Sequence, residues 1–457
     1  MVARAKHKWA FKPGMRAGVF SWKSSAKAIA RLKSARSEIR TVARTDPTPA
    51  AEGVIDLAQR IWPAFEHIDT SSGALGNAVR RTLEDLLPVL IEAPADEKTR
   101  AKWLERLREA IMDDGVDYLA PIADCFGKIA AYPALMNLHA DRDLDMIEAA
   151  WSDHARYTHV ATGTLTLSCL LEAGRYGELL ALLDRKKTRL WFDEKFGAEA
   201  LLRQGREADA LARAEALFLD ERRQWGHVEI AQFCESILLS QGREEEAYRH
   251  FGLPSASGNT YLAMWRALVR RYPDRDARCI LEDLIEREEM VVTVTQGGYV
   301  KRSALADFRS QKRGGKGLSG MATKDEDVVT TLFVANTHTP LLFFTTDGMV
   351  YKLKTWRLPP GGRNARGKAI VNILPIAPEV SIAAIMPVEA AEEDWEDLQI
   401  VFATSEGTVR RNALSDFTNV KSNGKIAMKL PDAGTKLVNV RICSEQDDVM
   451  LVTTSGR

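Results

Sequence analysis

The sequence has no apolar run approaching the roughly eighteen residues that a membrane-spanning helix needs. Its start also lacks the apolar stretch of a secretory leader, so neither a membrane partner nor an export signal is expected. Cysteine is scarce: Cys125, Cys169, Cys234, Cys279 and Cys443 are odd in number and scattered. That pattern excludes a disulfide framework and a structural zinc site, and fits a reducing cytosol. The eight histidines form no ligand constellation, and the five-residue step from His154 to His159 takes them off a common helix face. No Ser/His/Asp or Cys/His nucleophile pattern stands out. No catalytic residue, metal or cofactor is therefore assigned to this chain. Net charge is missing too, with 63 cations against 63 anions. At 457 residues the chain has room for two or three domains, and the neutral total conceals a division.

Residues 1–49 form a basic N-terminal segment. Lys6, Lys8, Lys12, Arg16, Lys23, Lys27, Arg31, Lys33, Arg36 and Arg40 follow one another almost without acid. Trp9, Phe11, Phe20 and Trp22 scattered among them suggest a segment packed onto a domain or a solvated first helix. A basic arm touching nucleic acid and an organelle presequence are the other two readings.

Residues 50–285 read as α-helical. Ala78 to Leu90 and the set Trp103, Leu104, Leu107 and Ile111 carry apolar residues at helix spacing, with Asp96 an expected N-cap. A repeat then appears: Leu170-Leu171-Glu-Ala-Gly174-Arg175, Leu201-Leu202-Arg-Gln-Gly205-Arg206 and Leu238-Leu239-Ser-Gln-Gly242-Arg243 share one frame. A helix that stops at Gly and restarts after Arg is a helical-hairpin signature. The spacings of 31 and 37 residues bracket the tetratricopeptide period. The segment resembles bacterial tetratricopeptide-like helical-repeat proteins in this turn, though not in their full consensus. Such solenoids present a surface to a partner protein.

Residues 286–457 change character. Val291 to Arg302, Phe343 to Lys354 and Val401 to Arg411 are each an apolar strand, a Thr-containing turn with Gly298, Gly348 or Gly407, and a cationic strand. Met450 to Gly456 starts a fourth copy. Turn glycines at intervals of roughly fifty to sixty residues mark blade-type repeats. Lys301 and Arg302, Lys352 and Lys354, and Arg410 and Arg411 stand at corresponding points. From Leu353 to Ala377, Lys354, Arg357, Arg363, Arg366 and Lys368 run without an acid.

Between the first two copies lies Gln311-Lys312-Arg313-Gly314-Gly315-Lys316-Gly317. Glycines permit close backbone approach and the cations aim charge and donors at an anion, a combination suited to phosphate. Gly315, Gly317 and Gly320 match a dinucleotide fingerprint only as a string, because no strand-helix-strand unit surrounds them. A nucleotide P-loop fails as well, since position 317 is Gly and position 310 is Ser. Asp325, Glu326 and Asp327 read as an exposed acidic turn rather than a Mg²⁺ site. The acidic run Glu392 to Asp397 reads as a loop facing away from a polyanion.

The seven-residue run resembles the box motif Gln-Arg-Arg-Gly-Gly-Lys-Gly of the DNA gyrase A C-terminal domain, departing only at Lys312. The resemblance covers residues 286–457 and includes Glu289 to Thr295, Gly317 to Asp327, Leu332 to Pro340 and Lys425 to Leu430. It implies a β-pinwheel that wraps double-stranded DNA on a basic rim. Gln311, Lys312, Arg313, Gly314, Gly315, Lys316, Gly317, Lys301, Arg302, Lys352, Lys354, Arg357, Arg366, Lys368, Arg410 and Arg411 are the expected DNA-binding residues.

The expected fold class is thus multidomain: an N-terminal α-helical repeat followed by an all-β partial pinwheel of about three blades. The resemblance further implies gyrase B and the gyrase A core as partners. ATP and Mg²⁺ belong to the holoenzyme rather than to this chain, and the expected location is the bacterial cytoplasm, at the nucleoid. The family is an ATP-hydrolysing DNA topoisomerase that cuts through a tyrosine in an Arg-Ala-Tyr context. Residues 1–285 contain neither that context nor an ATPase fold, so no catalysis by this polypeptide alone is expected. Two alternatives stand beside DNA wrapping. One is a protein-interaction scaffold whose open, partial pinwheel is inert. The other is a join or truncation of two genes, with the seam at the stretch Ile280 to Glu289, which suits either neighbour, and the stop within a fourth blade.

Overall fold

A computed structural model describes every residue except 1–6, 153–159, 221–225, 259, 309–326, 363, 433, 445, 449 and 451–457. The chain divides into two compact units, Met1–Asn259 and Thr260–Arg457.

The first unit is helical throughout its described residues. Helices Ser25–Ala43, Pro47–Phe65, Ala74–Ile91 and Glu97–Asp113 each bury one stripe, for example Val54, Leu57, Ala58 and Ile61 of the second. Asp96 caps the fourth helix as expected, its carboxylate accepting the Thr99 amide at 2.8 Å. Trp9, Phe11 and Phe20 of the basic segment are buried, whereas Trp22 is 63% exposed. Trp9 packs so closely on Gly53 that a Cβ there would lie 2.3 Å from its ring.

Helical hairpins follow in the predicted frame: Gly163–Glu172 with Tyr176–Asp184, Trp191–Arg203 with Glu207–Phe218, and His227–Ser240 with Glu244–Ala247. Each turn closes in the same way. Gly174, Gly205 and Gly242 sit at φ +74°, +73° and +72°, in the left-handed region that glycine enters without a Cβ penalty. The amides of Arg175, Arg206 and Arg243 reach back to the carbonyls of Leu170, Leu201 and Leu238 at 3.0, 2.9 and 2.9 Å. This is the Schellman closure of a helix end. The same arginines pair three residues on with Glu178, Asp209 and Glu246, so one short motif both stops a helix and starts the next.

The second unit begins with helices Tyr261–Arg271 and Ala277–Asp283 and continues as antiparallel sheets. Its strands are β1 Glu289–Thr295, β2 Tyr299–Ala304, β3 Val329–Asn336, β4 Pro340–Thr345, β5 Met349–Lys354, β6 Lys368–Ala369, β7 Ile382–Pro387, β8 Gln399–Thr404, β9 Val409–Ala413, β10 Lys425–Ile426 and β11 Leu437–Cys443. The sheet orders are β3-β1-β2-β6, β10-β5-β4-β7 and β11-β8-β9. Every sheet is built on a hairpin, and in the first two the outer strand beside the cationic strand is a two-residue segment lying beyond the next hairpin. β4 shows why the middle sheet reads as a continuous apolar run. Leu341 and Phe343 enter one core with Val292 and Val300, while Leu342 and Phe344 enter another with Phe402 and Phe417. A strand buried on both faces has no polar alternation to display.

Candidate nucleic-acid interface

The three hairpin turns are copies of one geometry. Gly298, Gly348 and Gly407 occupy φ +76°, +82° and +82°, and their amides donate to Thr295, Thr345 and Thr404 at 3.0, 2.9 and 3.1 Å. A turn ending in a left-handed glycine matches the twist of the flanking strands. The threonines are buried, and two of them accept from the far side of the turn, Thr295 from the Tyr299 amide and Thr404 from the Thr408 amide.

These turns are anchored by later chain. The Gly298 carbonyl accepts from the Ile370 amide at 2.8 Å, and that of Gly348 from the Ala427 and Met428 amides at 2.9 and 3.1 Å. The segments that arrive, Leu358 to Ile370 and Thr418 to Met428, act as straps across the preceding hairpin. Each carries a left-handed glycine followed by lysine, Gly367-Lys368 and Gly424-Lys425, with φ +79° and +82°.

The structure sorts the predicted cations into two groups. Lys301 is fully buried, and its ammonium donates to the Gly362 carbonyl at 3.0 Å. Arg302 donates to the Leu358 carbonyl at 3.0 Å, with Met290 sulfur nearby. Burial holds both groups below their ordinary pKa values. Lys352 donates to the Thr418 carbonyl at 2.8 Å, pairs with Glu392 at 2.7 Å and lies over the Trp395 ring. All three hold the unit together.

In the other group, Arg357, Lys368, Arg410 and Arg411 are exposed and Lys354 is half-buried. Arg357 rests on Trp356 with its guanidinium 5.1 Å from the ring, and Arg366 lies 4.3 Å over Tyr299. Two Arg366 nitrogens, Nε and Nη2, have no hydrogen-bond partner among the described residues. Gln311, Lys312, Arg313, Gly314, Gly315, Lys316 and Gly317 lie outside the described residues.

The acids have local uses. Asp327 accepts the Gly297 amide at 2.7 Å, which holds its carboxyl below the usual range. Glu392–Asp397 is a short 3₁₀ helix built round the buried Trp395. Among the described residues no group of three or more His, Cys, Asp or Glu side chains is placed to hold a metal.

Lys421, Lys429 and Lys436 are exposed cations on and after the second strap that the sequence reading did not single out. The Gly-Lys step at 424–425, as at 367–368, marks the strap on and after which they lie.

A family profile described as the DNA gyrase C-terminal domain, a beta-propeller, matches residues 289–336, 339–389 and 399–444, each segment one hairpin sheet. DNA gyrase A of Rickettsia bellii (strain RML369-C) is 50% identical over 177 residues, 39% of this chain and 19% of that protein. DNA gyrase A of Escherichia coli (strain K12) is 43% identical over 177 residues, 39% of this chain and 20% of that one. The matched stretch therefore spans about one fifth of these relatives' length. Among solved structures, the C-terminal domain of DNA topoisomerase IV is 26% identical with a TM-score of 0.30, covering 35% of this chain and 46% of that one. The DNA gyrase A C-terminal domain is 23% identical with a TM-score of 0.28, covering 35% and 49%. The three sheets, their repeated turns and the sequence identity agree: residues 289–444 belong to the family of the DNA gyrase A C-terminal β-pinwheel.

Proposed function

We propose that the second unit is the DNA-binding and wrapping module of a gyrase A-type protein, holding duplex DNA by its phosphates. The observation that carries this reading is the family membership of residues 289–444. The exposed cations Arg357, Lys368, Arg410 and Arg411 supply phosphate contacts, which position DNA without reading its sequence. Lys354 and Arg366 add two further cations. Lys301, Arg302 and Lys352 act one step back by holding the two straps, the first of which carries Lys368. The box, Gln311 to Gly317, guides the DNA path round the rim.

In this reading the assembly partners are gyrase B and the gyrase A core. ATP and Mg²⁺ serve the holoenzyme, the chain works at the bacterial nucleoid, and the helical repeats engage a protein.

The test uses the full chain with closed circular plasmid relaxed by a type I topoisomerase. Wrapping leaves a shift in linking number of one sign. Replacing Lys312, Arg313 and Lys316 by Ala removes that shift while reducing simple duplex affinity much less. Normal wrapping by this triple variant overturns the box assignment. No duplex binding by the unaltered chain at low salt favours the second reading, a protein-interaction scaffold. The three identically closed helical hairpins of the first unit support that alternative.

A further inference from the structure

Helix Ser25–Ala43 has one face built without acids. Its inward stripe is Ala28, Leu32, Ala35 and Ile39. The opposite face carries Lys27, Lys33 and Arg40, with Arg44 one residue past the helix end, all exposed. Lys33, Arg40 and Arg44 are spaced seven and four apart, which aligns them along one line of the helix. The exposed positions between the cations are Ala26, Ala30, Ser34, Ser37 and Thr41, small enough to let a bulky partner approach the backbone, while Ile29, in line with Lys33, is partly buried against the core. The Ser34 and Thr41 hydroxyls already donate to the Ala30 and Ser37 carbonyls. The helix's one acid, Glu38, is turned to the N-terminal segment, accepting the Ala10 and Phe11 amides at 2.8 and 3.2 Å.

Neighbouring cations have internal work that these four lack. Lys12 pairs with Asp56 at 2.6 Å, Arg31 donates to the Gly14 carbonyl and Arg36 pairs with Asp85. Lys27, Lys33, Arg40 and Arg44 enter no ion pair with another described residue. Like charges gathered on a face without counter-charge weaken a fold slightly, so their use lies outside the unit.

We propose that this face is a second, sequence-independent contact for the phosphate backbone of duplex DNA, located on the helical unit. Lys27 to Arg44 spans about 25 Å at the α-helical rise. That length of duplex axis carries about 15 phosphate charges, ample for four cations. A membrane surface fits less well, because insertion needs large apolar side chains beside the basic row, whereas the exposed apolar residues of this face are alanines and Ile29 packs against the core. A protein partner fits less well too, since the centre of such an interface is apolar and desolvated. The inference stands on the first unit alone and does not depend on the rim of the second.

The test uses the full chain in a background where Arg357, Lys368, Arg410 and Arg411 are Gln, which lowers the rim's share. On it, Lys27→Gln, Lys33→Gln, Arg40→Gln and Arg44→Gln are combined. A control combines Lys98→Gln and Lys102→Gln, two exposed lysines on a helix that also carries Glu97, Glu105 and Glu109. Glutamine keeps helix propensity, and circular dichroism checks that all variants fold alike. Binding of a fluorescent mixed-sequence duplex is read against salt. The quadruple variant loses affinity, and its log–log salt slope falls by up to about 3.6, at roughly 0.9 per phosphate contact. The control keeps both. Equal slopes in parent and quadruple variant overturn the proposal. So does a parent that ignores duplex but sediments with phosphatidylcholine–phosphatidylglycerol vesicles.

Discussion

The ammonium of Lys301 donates to the carbonyl of Gly362 at 3.0 Å, 61 positions further along the chain. Lys352 repeats the relationship with Thr418 at 2.8 Å, 66 positions on. Each joins a hairpin to the strap that crosses it. Lys301→Met keeps the aliphatic stem and removes the donor, leaving the Gly362 carbonyl without this partner. A hydrogen bond to a charged group contributes about 1.5–3 kcal/mol, so the strap opens more often. In hydrogen-exchange mass spectrometry, peptides covering 358–372 lose protection in this variant. Arg410→Gln with Arg411→Gln leaves that protection intact and instead lowers the salt slope of duplex binding by up to about 1.8, from roughly 0.9 per contact.

The same pair carries a pH signature. Burial lowers the Lys301 pKa from 10.5, so in the window below 10.5 the unfolded chain binds more protons than the folded one. Stability therefore rises with pH through that window. Lys301→Met removes this rise, measurable as strap protection at matched exchange rates between neutral and alkaline pH.

Gly348 and Gly407 share a φ of +82° but not a neighbourhood. A Cβ on Gly348 would lie 2.3 Å from the Met428 carbonyl oxygen, whereas one on Gly407 would meet nothing within 4 Å among the described residues. Gly407→Ala costs only the left-handed backbone penalty, about 1–2 kcal/mol. Gly348→Ala adds a collision with backbone that cannot swing aside, and displaces the second strap. Thermal melts followed by tryptophan fluorescence rank the two, with Gly348→Ala lower. Equal melting temperatures refute the strap contact.

This difference shows where sequence legibility ends. Thr295-x-x-Gly298, Thr345-x-x-Gly348 and Thr404-x-x-Gly407 could be read directly, because a turn is satisfied within a few residues. The Leu-Leu-x-x-Gly-Arg stops of the helical unit could be read for the same reason. The roles of Lys301 and Lys352 could not, since a lysine in a strand pattern reads as exposed unless the carbonyl it meets is known, and that carbonyl is 61 or 66 residues away. The basic segment shows the same limit: its aromatics signalled packing, yet three are buried and Trp22 is not. Only the partner surface, here Gly53 for Trp9, decides which.

That partner surface can be tested. Gly53→Ala places a methyl where the Trp9 ring lies, so Trp9 must leave and the N-terminal segment loosens with it. Gly174→Ala, Gly205→Ala and Gly242→Ala meet no neighbour within 4 Å among the described residues and cost about 1–2 kcal/mol each through backbone strain alone. Gly53→Ala therefore red-shifts tryptophan emission and exposes residues 8–20 to protease, while the three turn variants lower the melting temperature without either change. Protease resistance in Gly53→Ala equal to the parent refutes the Trp9 contact.

His139 supplies the acid-side counterpart. It is buried at 2% exposure in an edge contact with Phe126, and Nδ1 lacks a hydrogen-bond partner among the described residues. Burial lowers its pKa from 6.5, Glu105 opposes the shift, Arg142 and Arg108 reinforce it, and Asp143 opposes it. Glu105 stands 4.0 Å from Nε2, too far for a hydrogen bond to offset desolvation. The folded unit thus keeps a neutral imidazole while the unfolded chain takes up a proton near 6.5. Below that pH the unfolded state binds more protons, so stability falls as pH drops through the window between 6.5 and the lowered folded value. His139→Leu removes the titrating group and flattens this part of the profile. Melting temperatures of the helical unit across that range separate the outcomes: a parent profile no steeper than that of the leucine variant means that other groups carry the acid sensitivity.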